Sequence, residues 1–364
     1  MGRKVGFSYG TIKFDNAHGV YQPGQMVYGK LEFDLSSILN FRGIYAVIRG
    51  YCEVYYTENK KESGKSENVR TEHRSEEDYL NKTVYLAGSI GGSAQLNQGH
   101  HTFPFECLLP NNCPSSFEGP HGHIRYQVRV ILDKAFNTNE EKLAAIKVVA
   151  PLDLNSNPYC REPVDFEMIN SYCCWCISSG ASETIVHIPR SGFCCGEVVP
   201  VDVACTNRSS VKIKSIKLNI QKKITYHAEC EPGTKDEAVK IMELSTGPVE
   251  PNTTKNFTVE LKIPTVDVYN LYGSRFIDLQ YYFYVRLEVK GCHSDVEDSR
   301  RIIIGNLPLI GPGQAMNQMQ QGMPYVQPYP TSPMAYSAQP PYNPQVTQNL
   351  LPQVTAMHPP FNYN

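Results

Sequence analysis

The sequence predicts an all-β protein of two sandwich modules followed by a tail that builds no core, and three observations predict it. First, a block is written twice: Phe103-Pro104-Phe105-Glu106-Cys107-Leu108-Leu109-Pro110 returns as Phe257-Thr258-Val259-Glu260-Leu261-Lys262-Ile263-Pro264. Each copy is followed by a second matched segment, around Tyr126 and Tyr281, and preceded by a matched start, Tyr21-Gln22-Pro23-Gly24 and Phe193-Cys194-Cys195-Gly196. Three landmarks in one order imply two copies of one module, since a long-period repeat fixes architecture before any local pattern does. Second, apolar residues alternate with period two, the mark of a strand with one buried face. Third, residues 311–364 contain no Lys, Arg, Asp or Glu and are rich in Pro, Gln and Tyr. That composition predicts a disordered segment with polyproline character.

Taken in order, the first module is expected over residues 1–155. Its strongest strand is Ile124, Tyr126, Val128, Val130 and Leu132, alternating with polar partners. The charged stretch Glu58 to Asp78 is expected to be a mobile loop, and Thr138 to Val149 is expected to hold a helical turn. Residues 156–180 are expected to link the modules. The second module, 181–311, carries the longest alternation, with Ile277, Leu279, Tyr281, Phe283, Val285, Leu287 and Val289 on one face. Val211 to Ile220 changes phase: Val211 and Ile213 fall on one parity, Ile216, Leu218 and Ile220 on the other. One extra residue near Ser215 is what a β-bulge needs. Glu229 to Thr254 is expected to be an insertion between strands, and the tail occupies 312–364.

The chain has 364 residues and a net charge of −2, which gives no global pull toward nucleic acid or anionic membrane. The opening Met1-Gly2-Arg3-Lys4-Val5 leads into no apolar run, so the expectation is a soluble, cytoplasmic protein with reduced cysteines. Cys173, Cys174 and Cys176 with Cys194 and Cys195 present three alternatives: an apolar thiol group near the junction, a Zn²⁺ site, or a palmitoylated patch. Their C-C and C-x-C spacing is a poor match to the usual zinc pattern, and no metal or other cofactor is expected. His100 and His101 point to opposite faces of a strand, and His121 and His123 flank a turn. No G-x-S-x-G, Walker or H-E-x-x-H motif is present, so an enzyme is not expected.

Taken together, Val20-Tyr21-x-Pro23-Gly24-x-x-Val27-x-Gly29, Phe103-Pro104-Phe105 with Leu109-Pro110, and Pro114-Ser115-Ser116-Phe117-Glu118-Gly119 resemble the arrestin domain-containing proteins, the α-arrestins. Ile188-Pro189-Arg190-x-Gly192-Phe193, Asn207-x-Ser209 and Leu307-Pro308-Leu309 extend the resemblance over residues 5–311. It implies two arrestin-type, immunoglobulin-like β-sandwich lobes. It also implies a non-enzymatic trafficking adaptor that binds the cytosolic tails of membrane proteins and links them to endocytic sorting and ubiquitylation. Peripheral association with plasma membrane or endosomes goes with that role. The family recruits WW-domain HECT-type ubiquitin ligases through PPxY motifs. Here Pro340-Pro341-Tyr342 places its Tyr one position early, and Pro359-Pro360-Phe361-Asn362-Tyr363 one position late. Spacing matters because a polyproline II helix turns every three residues, so prolines and Tyr reach separate grooves only at one offset. Lys212, Lys214, Lys217, Lys222 and Lys223 crowd one strand and are candidates for a basic patch that meets acidic cargo or anionic lipid. A structural subunit of a sorting coat, like the arrestin-fold subunit of retromer, is the competing reading.

Overall fold

The computed structural model describes residues 5–61, 68–135, 137–174, 177–291 and 294–310. The first lobe contains β1 (Thr11–Phe14), β2 (Val20–Tyr21), β3 (Met26–Leu35), β4 (Leu39–Phe41), β5 (Gly43–Lys61), β6 (Asn68–Gly88), β7 (Ala94–Leu96), β8 (Gly99–Leu108), β9 (Phe117–Gly119), β10 (Gly122–Asp133) and β11 (Glu140–Val148). The second contains β12 (Val164–Cys174), β13 (Ile177–Ile188), β14 (Gly192–Cys194), β15 (Val198–Asn207), β16 (Ile213–Ala228), β17 (Gly233–Thr246), β18 (Thr253–Lys262), β19 (Ile277–Val289) and β20 (Val296–Gly305). Among the described residues the only helical pieces are three single 3₁₀ turns.

The repeat seen in the sequence is a repeat of topology. In the first lobe one sheet runs β2-β11-β10-β5-β6; in the second, the order β14-β20-β19-β16-β17 is the same arrangement. In both, the outermost member is a short strand added parallel to its neighbour: β2 on β11 and β14 on β20. These two short strands carry Tyr21 and Phe193, the matched starts. The facing sheets are β1-β3-β8 and β12-β13-β15-β18, with the repeated block on β8 and β18.

Period-two alternation becomes the core. Ile124 through Leu132 and Ile277 through Val289 are buried at every other position, and each large apolar side chain so buried is worth about 1.5–3 kcal/mol. The phase change at Ser215 is a register shift between Ile213 and Ser215 in the β16–β19 pair. A second shift follows in the β16–β17 pair, between Ile220 and Gln221.

Four expectations are corrected. Glu58 to Asp78 is not a loop across its length: Glu58 to Lys61 end β5, and residues 68–78 form the first half of β6, paired from Lys61↔Asn68 onward. The inward positions of that half are polar, His73 and Ser75 among them, so no apolar alternation marks it. Residues 233–246 inside the expected insertion form β17, hydrogen-bonded along β16. This is an edge strand held partly by polar ties, Lys223–Asp236 at 2.9 Å and Thr225–Asp236 at 2.7 Å. Residues 140–148 form β11 and no helical turn; pairing with β10 overrides the helix preference of Ala144-Ala145. Within the expected linker, residues 164–174 form β12 on the edge of the second lobe. Residues 311–364, with the expected disorder and both Tyr motifs, lie outside the described residues.

Asn207, one of the family landmarks, is 1% exposed. Its Nδ2 donates to the carbonyls of Val211 (2.7 Å) and Glu250 (3.2 Å), and its Oδ1 accepts from the amide and hydroxyl of Ser209. Asn207→Ala strands these partners and is expected to cost about 3 kcal/mol, read as a drop in the urea midpoint of unfolding. A loss under about 1 kcal/mol contradicts this account.

Candidate functional site

The lobes meet along a polar seam. Arg74 of β6 and Cys230, just after β16, exchange backbone hydrogen bonds at 3.3 and 3.0 Å. Ser75 Oγ accepts from the Glu229 amide at 2.7 Å, and Glu77 accepts from the Arg275 amide at 3.1 Å. His73 is buried between them, stacked on Tyr56 at 4.6 Å, with Nδ1 against the Glu231 carbonyl. Glu231 adopts a φ of 52°, the left-handed turn that aims that carbonyl inward. Lys235 of β17 lies 3.8 Å from Glu58 of β5, adding an ion pair across the seam.

A cleft of about 380 Å³ opens beside the seam. Its first wall is β9 and the end of β11, with Ser116, Phe117, Glu118 and Lys147; its second is Lys222 of β16, Ile241 of β17 and the segment 265–268. Both walls are held from beneath by equivalent tyrosines of the repeat. Tyr126 donates its hydroxyl to the Pro114 carbonyl at 2.7 Å, and Tyr281 donates to the Val268 carbonyl at 2.6 Å. Burial raises the pKa of both phenols, so both stay protonated donors. Ser116 ties β9 to β11 through two bonds with Val148, at 2.8 and 2.9 Å, which brings Lys147 to the rim.

Charge in the cleft is distributed unevenly. Glu118 is gripped bidentately by Arg125, at 2.7 and 2.8 Å, and that hydrogen bonding holds its carboxyl below the usual range. Among the described residues, Lys147 and Lys222 make no ion pair. The five lysines of the predicted patch differ in their partners. Lys217 pairs with Glu288 (2.5 Å), Lys212 with Glu250 (2.6 Å) and Lys223 with Asp236 (2.9 Å). Lys214 is exposed on the open face. Lys222 shares the inward parity of Ile220 and Ile224, so it faces the cleft while Lys223 faces out. The cleft continues into a shallower cavity of about 310 Å³ over β10 and β11, reached past Ser116, Glu118 and Lys147 and lined further on by His18 and Leu143.

The remaining candidates separate. His100 bonds Asp34 and His101 bonds the Asn97 carbonyl, on opposite sides of β8. Cys194 and Cys195 are half-buried; Trp175 and Cys176 lie outside the described residues, as do Pro340, Pro341, Tyr342, Pro359, Pro360 and Tyr363. Among the described residues no three His, Cys, Asp or Glu side chains gather as metal ligands. Burial pushes the Cys52 thiol up to about 11, the behaviour of a packing residue and not a nucleophile. No helix of the described residues is long and apolar enough to cross a membrane. Sequence reasoning missed Lys147, the seam residues His73 and Ser75, and the wall 265–268. No local pattern marked the seam residues, since residues 70–78 are polar at every position.

Residues 10–155 match the profile of the arrestin (or S-antigen) N-terminal domain, and residues 178–309 that of the C-terminal domain. Similar curated proteins include arrestin domain-containing protein 1 of Rattus norvegicus, 28% identical over 219 residues (60% of this chain, 47% of the relative). The Homo sapiens protein of that name is 26% identical over 278 residues (76% and 60%). Arrestin domain-containing protein 17 of Caenorhabditis elegans is 28% identical over 270 residues (70% and 62%). The chain covers between 47% and 62% of the length of these relatives.

Two outcomes are expected from this geometry. Tyr281→Phe removes the bond under one wall and is expected to cost about 1–2 kcal/mol and to speed amide exchange at 265–268; unchanged exchange there rejects the role. His123, edge-on to Tyr51 at 5.6 Å, has its pKa lowered by burial and by Arg125. The unfolded chain therefore binds a proton near pH 6.5 that the folded chain resists, so stability falls as pH drops below about 6.5. His123→Gln is expected to flatten the fall in urea midpoint between about pH 6.5 and 5; parallel curves for both proteins refute it.

Proposed function

The chain belongs to the arrestin family, in its arrestin domain-containing branch, and on that footing we propose that it is a non-enzymatic trafficking adaptor. It binds cytosolic tails of membrane proteins on its two lobes and links them to endocytic sorting and ubiquitylation machinery, from the cytoplasm and at plasma-membrane or endosomal surfaces. The observation that supports this most is the seam. Backbone pairing at Arg74 and Cys230, with the flanking bonds of Ser75 and Glu77, fixes two sandwiches as one frame. That frame presents a cleft with two lysines that make no ion pair among the described residues, a recognition surface of the kind a binding scaffold needs.

In this reading residues 311–364 carry the second half of the adaptor's work. Pro340-Pro341-Tyr342 and Pro359-Pro360-Phe361-Asn362-Tyr363 are each a weak ligand for a WW domain, because one proline–tyrosine offset is short and the other long. Two weak motifs on one chain gain from simultaneous engagement of tandem domains. Quantitative capture of WW-domain HECT-type ligases with the full chain, and with Tyr342→Ala plus Tyr363→Ala, tests the link. Recovery is expected to fall by roughly tenfold or more in the double variant. Equal recovery removes both motifs from the account, and no recovery from either protein removes the ligase. If deletion of 311–364 leaves cargo sorting intact, a coat subunit replaces the adaptor.

A further inference from the structure

We propose that the outer edge of β12 is a docking site for an extended peptide in which Lys or Arg alternates with apolar residues, added to the second lobe as one more strand beside β12. The inference stands apart from the adaptor reading, which concerns only the protein to which that peptide belongs.

Three observations carry it. First, β12 is an open edge. It pairs with β13 on one side alone, and among the described residues no backbone hydrogen bond reaches its other side. Such an edge presents a row of free N–H and C=O groups, and proteins usually blunt it by shortness, Lys or Pro. β12 is 11 residues long and contains no Lys, Arg or Pro; its only charges are the carboxylates of Asp165 and Glu167. Its one interruption, the register shift between Tyr172 and Cys173, comes near the end and leaves Val164 to Ser171 regular.

Second, the outward face beside that edge is a checkerboard. Glu167 of β12 stands opposite Ile185 of β13, and Ile169 stands opposite Glu183. Ile169 is 67% exposed and Ile185 45%. Direct and diagonal cross-strand neighbours lie about 4.5–8 Å apart, so a strand laid beside β12 meets an acid and an aliphatic side chain in turn.

Third, charge sets the sign of the partner. The side chains of Glu167 and Glu183 make no hydrogen bond or ion pair among the described residues, and no Lys or Arg occurs in β12, β13 or β15. Asp165 is held by His187 at 2.6 Å. Arg300 of β20, whose guanidinium lies over the Phe166 ring at 5.1 Å, is bound to Asp298 at 2.6 Å. The carboxylates of Glu167 and Glu183 are thus left without a cation. Opposite charges across a strand pair stabilise it and like charges destabilise it. That favours a basic peptide over a second copy of this edge, an anionic lipid surface or a nucleic acid. The chain's own residues 311–364 hold no Lys or Arg, so they lack the charge the edge asks for.

The test uses the full chain and a fluorescein-labelled peptide of alternating Lys and Val, followed by fluorescence anisotropy at low salt. Glu167→Gln combined with Glu183→Gln is expected to weaken binding about fivefold, and Glu167→Lys about tenfold. Glu260→Gln, an exposed carboxylate on β18 at the opposite edge of the same sheet, is expected to leave it unchanged. Two further peptides, N-methylated at every Val or at every Lys, separate strand addition from simple charge attraction. The one whose methyl groups face β12 is expected to bind at least about tenfold more weakly. Amide exchange in residues 165–171 is expected to slow when the parent peptide is bound. Melting temperatures of all variants confirm folding. The proposal falls if the carboxylate variants bind as wild type, if Glu260→Gln weakens binding as much as they do, if both methylated peptides bind as the parent does, or if exchange in β12 is unchanged. A dimer of the chain alone that Ile169→Lys abolishes in sedimentation velocity gives this edge to a second copy and overturns the proposal. Because the peptide is synthetic, each such failure leaves the adaptor reading standing.

Discussion

Two buried tyrosine hydroxyls hold the walls of the cleft between the lobes. Tyr126 reaches the Pro114 carbonyl and Tyr281 reaches the Val268 carbonyl. Each sits at the same place in its copy of the repeat, and each grips the segment that follows the repeated strand. A buried carbonyl left without a donor costs about 1–3 kcal/mol, so these segments have one low-energy position. The cleft walls inherit their placement from that bond, and Lys147 inherits its own from β9 through Ser116.

The seam adds rigidity of a different kind. It adds polar ties, a backbone pair at Arg74 and Cys230 and a hydroxyl at Ser75, to an apolar contact in which buried residues of both lobes form one cluster. Polar contacts constrain orientation through hydrogen-bond geometry, where an apolar contact tolerates sliding. Two lobes joined this way keep one angle, and a site built from both lobes keeps one shape. Gly122 shows how close the approach is: a Cβ there would lie 3.2 Å from Ile277 of the other lobe and 2.7 Å from the Glu53 carbonyl.

Much of the fold could be read from residues alone because its determinants are apolar and periodic. Ile124 to Leu132 and Ile277 to Val289 announce their buried faces, and the slip at Ser215 announces its bulge. The failures share one cause. The first halves of β6 and β17 fill a seam or an edge, where inward positions are His73, Ser75, Lys235 or Glu237, so hydrophobic alternation was absent where strands were present. The candidate patch was legible as a cluster, and the partners of its lysines were not. Five lysines close in sequence are parted by parity and by two register shifts, and a carboxylate from another strand meets three of them. Lys147, distant in sequence and alone, had no local signal at all.

The repeat that builds the frame also limits what it can do. Because β10 and β19 occupy equivalent places in the two sheets, their leading ends meet, Gly122 against Ile277. Charge does not follow the repeat: Lys147 sits on β11 and Lys222 on β16, positions that are not equivalents, and of the two wall carboxylates Glu118 is bound to Arg125 while Asp267 lies on the other wall. The two modules can therefore differ in charge without disturbing the tyrosine bonds beneath.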